Sequence, residues 1–307
     1  MVLLLCAIPL SAQQAEMYFK EANKHVDNKN YSGAIRSLNK AIAENDHEAI
    51  YYCKRGYAWF KMKENQNAYN DLTAAVKYDY TLAEAYYYRS QVLEGSLLIQ
   101  DAVNDLDMVI KYAKNDSIRY EAYLKRGGNR STLRNFKGAF EDASTYHQFD
   151  KSSRDALSIM AMSKHEMNQN EEALGYLGKI VTMYPNDTMT LMNFGFIYLS
   201  MQKWDTAYYY LDKAYRLNPK DPFILSNLSY VKLKQGDTKG ALKDINASLS
   251  IAPENSWAYR NRALILLAVS DTTKACENLH LSIKKGFTDR YGNEVSDLIY
   301  QCCGKKK

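Results

Sequence analysis

The side chains able to do covalent or metal chemistry are few and scattered. Five histidines, His25, His47, His147, His165 and His280, show no His-x3-His pair and no His-Glu-x-x-His motif. Those are the spacings that put two imidazoles on one helix face around a metal. No glycine-rich run of the kind that cradles a phosphate is present. Carboxylates are frequent, but they recur where an amphipathic helix meets water. Tyrosine is abundant at 26 residues, in runs such as Tyr86-Tyr87-Tyr88 and Tyr208-Tyr209-Tyr210. Consecutive residues point around a helix, so one of each run belongs to a core and its neighbours to a groove or solvent. The expectation is no catalytic residue, no metal and no cofactor: a chain that is not an enzyme.

The elements that position these residues follow from a repeat. Ala34, Ala68, Ala102, Ala139, Ala173, Ala207, Ala241 and Ala275 are spaced by 34 residues, with a single step of 37. A second column is small throughout: Ala22, Gly56, Ser90, Gly127, Ala161, Gly195, Ser229 and Ala263. A third is large (Tyr18, Tyr52, Tyr86, Tyr123, Leu157, Leu191, Leu225, Tyr259), and a fourth runs Leu38, Leu72, Leu106, Ala143, Leu177, Leu211, Ile245, Leu279. Pro185, Pro219 and Pro253 close three successive units.

Within a unit the large and first small columns lie four residues apart, so they share one helix face; the Ala and Leu columns share a face of a second helix. Small residues let two antiparallel helices approach closely while the large ones fill the space beside them. Short polar segments such as Asp27-Asn28-Lys29-Asn30 and Lys234-Gln235-Gly236-Asp237 break the helix between. A single hairpin cannot bury its own face, so neighbours must stack into a solenoid. The predicted class is all-α.

Residues 188–221 resemble a tetratricopeptide repeat, with Leu191, Phe194, Gly195, Tyr198, Ala207, Leu211, Ala214 and Pro219 on its signature positions. Eight repeats are expected, at 15–48, 49–82, 83–116, 120–153, 154–187, 188–221, 222–255 and 256–289, with residues 117–119 inserted. Arg130, Lys164 and Lys232 depart from the pattern, standing where a bulky apolar residue is usual. Residues 290–303, with Tyr291, Val295, Leu298 and Ile299 at helical spacing, read as a capping helix; 304–307 form a basic tail.

The ends bear on compartment. Met1–Leu10 is apolar and runs into Ser11-Ala12-Gln13-Gln14, which reads as a signal peptide over 1–12 with cleavage near Ala12. The expectation is a secreted or periplasmic protein with no membrane span in the mature chain. The net charge is only +5, three units of it from Lys305, Lys306 and Lys307, which argues against a nucleic-acid partner. Among the cysteines, Cys276 opens the second helix of the last repeat, and Cys302 and Cys303 end the antiparallel cap. Cys276 is therefore a disulfide candidate with either of them, unpaired buried thiols being the alternative. Asp-Ser/Thr pairs such as Asp187-Thr188 and Asp271-Thr272 look like O-glycosylation sequons, but helix N-capping explains the same residues.

The resemblance implies a concave groove lined by the first helices, with a protein or peptide lying along it. The sixth residue of each repeat then includes Lys20, Lys54, Asn193, Asn227 and Asn261, and the ninth includes Phe196, Tyr230 and Leu264. An Asn amide both donates and accepts, so a row of three suits a peptide backbone, and the apolar stripe suits side chains. The expected function is a non-enzymatic protein- or peptide-binding scaffold. The alternative is a structural component of a cell-envelope complex that uses its convex face and ends.

Overall fold

A computed structural model describes residues 10–303; the first nine residues of the expected signal peptide 1–12 and the basic tail 304–307 lie outside the described residues. Helices dominate, and there is no strand among the described residues. The chain divides into two compact units, one ending at Ser163 and one beginning at Lys164.

The first unit is built from helical hairpins: α1 (Leu10–Asp27) with α2 (Tyr31–Glu44), α3 (Ala49–Lys61) with α4 (Asn65–Tyr78), α5 (Ala83–Gly95) with α6 (Ile99–Tyr112), and α7 (Asp116–Thr132) with α8 (Phe136–Phe149). The helix α9 (Arg154–Glu166) follows. In the second unit α10 (Asn170–Met183) leads to α11 (Thr188–Ser200) with α12 (Trp204–Leu217), α13 (Pro222–Lys234) with α14 (Thr238–Ile251), and α15 (Ser256–Ala268) with α16 (Thr272–Lys284). The inserted residues 117–119 become an extra turn at the start of α7, the longest helix after α1.

Local chemistry starts and stops these helices. Asn30, Asn135 and Asp237 each accept a hydrogen bond from the backbone N–H three residues on, at Gly33, Gly138 and Gly240. Asp187 and Asp271 cap α11 and α16 in the same way, so these Asp residues already have a structural role. After the first helix of each hairpin the backbone passes through the left-handed region, at Lys29, Lys63, Leu97, Arg134, Asn168, Gln202, Gly236 and Ser270. This is a further column at the repeat spacing, and only one of its members is glycine.

The Ala and Leu columns are buried in every hairpin, from Ala34 and Leu38 to Ala275 and Leu279. The first small column is small because the second helix lies against it. A Cβ added at Gly56 would sit 2.7 Å from Leu72 Cγ, closer than side chains tolerate.

The three cationic departures find carboxylates. Arg130 Nη1 donates to Asp142 Oδ2 at 2.9 Å, Lys232 Nζ to Asp244 Oδ2 at 2.6 Å, and Lys164 pairs with Glu172 at 2.9 Å. An ion pair across the hairpin thus replaces an apolar contact.

The cap differs from expectation. The helix predicted over 290–303 is interrupted at Gly292, whose φ of 83° lies in the left-handed region. α17 (Phe287–Tyr291) precedes it and α18 (Glu294–Cys303) follows. Phe287 is fully buried and stacks on Trp257 with centroids 5.4 Å apart. Val295 is buried in the same cluster, with Leu298 and Ile299 packed against it. The last repeat ends its second helix at Lys284 because Gly286 turns the chain back over the exposed apolar face.

Candidate functional site

In the second unit the first helices α11, α13 and α15 lie side by side and line an open cavity of about 360 Å³. α11 supplies Phe196, Leu199 and Ser200; Gln202 and Trp204 follow from the hairpin turn and the start of α12. α13 contributes Asn227, Tyr230 and Lys234, and α15 contributes Trp257 and Arg260. The helical phase explains the selection. Asn227, Tyr230 and Lys234 are spaced by three and four residues on one helix face, and Trp257 and Arg260 are spaced by three on the next.

The lining combines aromatic faces with cations. Lys234 Nζ lies 5.2 Å from the Tyr230 ring centroid and 5.9 Å from that of Trp204. The Arg260 guanidinium lies 5.0 Å from Tyr230 and 5.1 Å from Trp257. Trp204 and Tyr230 meet edge to face at 6.4 Å. Cations over aromatic faces are held by the ring quadrupole; Lys234 is exposed there, whereas Arg260 is almost fully buried. Among the described residues no carboxylate lines the cavity.

The expected groove residues divide. Phe196, Asn227 and Tyr230 converge on the cavity. Asn193 and Leu264 are half-buried on α11 and α15 but are not part of its lining. Lys20, on α1 in the other unit, is exposed, pairs with Glu16 at 3.5 Å and lines an open groove with Met17 and Lys24. Lys54 is half-buried on α3.

Asn261 corrects the expectation of an Asn row facing a ligand. It is fully buried, and its amide is consumed inside the fold. Nδ2 donates to Ser226 O at 3.2 Å and Oγ at 3.1 Å, and Oδ1 accepts from Arg260 Nη1 at 2.9 Å. The sixth position at this repeat faces the seam between α13 and α15, so its amide ties two hairpins together. Trp204, Lys234, Trp257 and Arg260 were not anticipated. The chain has three tryptophans, and two of them stand at this cavity, which was the available signal.

A disulfide joins Cys276 on α16 to Cys303 on α18, with Cα atoms 5.8 Å apart; Cys302 and Cys53 carry free thiols. The bond holds α18 against α16, and α18 begins with Glu294. The Glu294 carboxylate accepts from Arg260 Nε at 3.2 Å and also from Nη2. Burial, aided by the Glu84 carboxylate, pushes the Cys53 thiol up to about 12, so it is protonated at neutral pH. Among the described residues no cluster of His, Cys, Asp and Glu could hold a metal ion, and no helix is long and apolar enough to cross a membrane.

No family model matches the chain. Serine/threonine-protein phosphatase 5 of Rattus norvegicus is 28% identical over 151 residues, which is 49% of this chain and 29% of the phosphatase. The chain thus spans less than a third of the length of that curated relative. A tetratricopeptide repeat protein from Parabacteroides merdae superposes with a TM-score of 0.63 at 17% identity, over 83% of this chain and 99% of that one. The C-terminal part of a repeat-containing protein from Cytophaga hutchinsonii gives 0.58 at 16% identity, over 79% and 98%. With its stacked hairpins, buried small-residue columns and terminal cap, the chain has the tetratricopeptide-repeat fold.

Proposed function

We propose that this chain is a non-enzymatic scaffold that binds a segment of another protein in the groove formed by α11, α13 and α15. The observation that carries this reading is the cavity itself. Four aromatic side chains, two cations and the Asn227 amide converge on it from adjacent hairpins. Aromatic anchors with a few placed polar groups are what a peptide-binding surface requires. The fold supports the same reading, since stacked hairpins present a long surface with little rearrangement.

We place the protein in a secreted or periplasmic compartment. The apolar segment at the N-terminus supports this, and so does the Cys276–Cys303 bond, which persists in an oxidising setting.

The test is affinity capture from the native envelope fraction with the full chain and two variants. Asn227→Ala combined with Tyr230→Ala strips the groove, whereas Tyr209→Ala alters an exposed ring on the second helix α12. A groove binder loses its partner in the first variant and keeps it in the second. The reverse pattern overturns the groove and favours an assembly component acting through its outer face.

A further inference from the structure

Two cations line the cavity, and one of the two is already held by an acid that is not part of the lining. Arg260, almost fully buried, donates through Nε and Nη2 to Glu294 at the start of α18. Glu294 itself is 43% exposed, and it is carried by a terminal helix that follows the Gly292 turn. Lys234 is exposed, with its Nζ near the rings of Tyr230 and Trp204. The rings of Tyr230 and Trp257, which line the cavity too, lie close to the guanidinium.

Deepening the groove reading, on which this rests, we propose that the cavity recognises a glutamate or aspartate side chain flanked by an aromatic residue on the bound segment, and that Glu294 is a built-in competitor for Arg260. The charge pattern selects the ligand: a cavity with two cations, aromatic walls and no acid is complementary to an anion carried on an apolar frame. Glu294 shows that the Arg260 guanidinium accepts a side-chain carboxylate in this setting. A ligand carboxylate must displace Glu294 or share the guanidinium through the two N–H donors left after Glu294 and Asn261 are served. Because α18 is fastened to α16 by the Cys276–Cys303 bond, the competitor is kept close to its arginine.

The experiment uses fluorescent, acetylated and amidated pentapeptides on the full chain: Ser-Phe-Glu-Phe-Ser, its Gln counterpart, and the Gln peptide with a free C-terminal carboxylate. The Glu peptide is expected to bind about tenfold tighter than the amidated Gln peptide. Glu294→Gln should tighten the Glu peptide a further roughly threefold to tenfold by releasing Arg260, and leave the amidated Gln peptide unmoved. Lys234→Gln, at an exposed position, should weaken the Glu peptide alone. A thermal melt on each variant separates folding from binding.

Equal affinity for the Glu and Gln peptides, both lost in Tyr230→Ala, overturns the carboxylate assignment while the groove reading stands. Preference for the free C-terminal carboxylate over the Glu side chain overturns it too. Binding of the Glu peptide that Glu294→Gln leaves unchanged refutes the competitor role. If no peptide binds, the carboxylate assignment falls, and the groove reading is then judged separately by the envelope capture with Asn227→Ala and Tyr230→Ala.

Discussion

The two units use the same hairpin and fasten it differently. In the first, three hairpins share a polar clamp. Arg55 Nε and Nη2 donate to the two oxygens of Asp71, both at 2.7 Å, and Nη1 reaches Asn39 on the preceding hairpin at 2.7 Å. Arg89 repeats this with Asp105 and Thr73, and Arg126 with Asp142 and Asp107. Each guanidinium also lies over the tyrosine three residues before it: Tyr52, Tyr86 and Tyr123. In the second unit the same positions hold Phe194 and Tyr210, stacked 4.6 Å apart, and then Leu228 opposite Asp244, which Lys232 takes up. The arginine returns as Arg262, over Tyr259 and paired with Asn278.

A guanidinium fork fixes the angle between its partners, so the first unit gains geometric specificity from bonds that are strong only if complete. The aromatic stack of the second unit fixes less and needs no complement. The cavity stands in the unit where the clamp is interrupted.

The largest break in this comparison is Asp142→Ala. Asp142 is buried between Arg126 and Arg130, and removing it strands two guanidinium groups. A loss of about 3–5 kcal/mol is expected, read by denaturant unfolding with hydrogen exchange rising first in α7 and α8. Loss under 1 kcal/mol would make the clamp ornamental. The converse exchange sharpens the point: Arg89→Phe with Asp105→Tyr, copying the second unit, should be near neutral if packing volume is matched.

Next in size is the cap. Reducing the Cys276–Cys303 bond, which spans 27 residues, should cost about 3 kcal/mol in the chain-entropy picture. Exchange should rise in α16 to α18 while α1 and α2 are untouched; a uniform change along the chain would contradict local coupling. In thiol counting on the native protein, Cys302 should label and Cys53, protonated and buried, should not.

Two asparagines at equivalent positions should then separate. Asn261→Ala should lower stability by about 1–3 kcal/mol, because Ser226 and Arg260 lose their buried partner. Asn227→Ala should instead weaken the bound partner by about 0.5–1.5 kcal/mol with little effect on folding. Calorimetric unfolding and partner titration on both variants decide it, and a swapped outcome would reassign the row.

The smallest effect concerns the turns. Leu97 is 83% exposed at a φ of 61°, in the column where the second unit has Gly236. Leu97→Gly should stabilise by about 1 kcal/mol by relieving the left-handed strain, seen as a modest rise in melting temperature.

Ala207 and Leu211 were legible as core because Ala173 and Leu177 stand 34 residues before them and Ala241 and Ile245 stand 34 residues after, and recurrence exposes what each hairpin must bury. Asn227 and Asn261 were equally legible as a row, but not as two different environments. One is 9% exposed at the cavity wall and the other is sealed in a seam, and that depends on how α15 is set against α13. The Arg89, Tyr86 and Asp105 set was present in the sequence at fixed offsets, yet only the geometry tied its members together, since Asp105 lies sixteen residues from its arginine.

The sequence by itself determined the hairpin, its small crossing positions and its stacking, because periodic burial writes itself into composition at every turn of the repeat. Tertiary structure alone decided which residues meet: Trp204 with Tyr230, Trp257 with Arg260, and Arg260 with Glu294 thirty-four residues further on. Such meetings depend on crossing angles and on where the cap folds back, and a linear spacing carries neither.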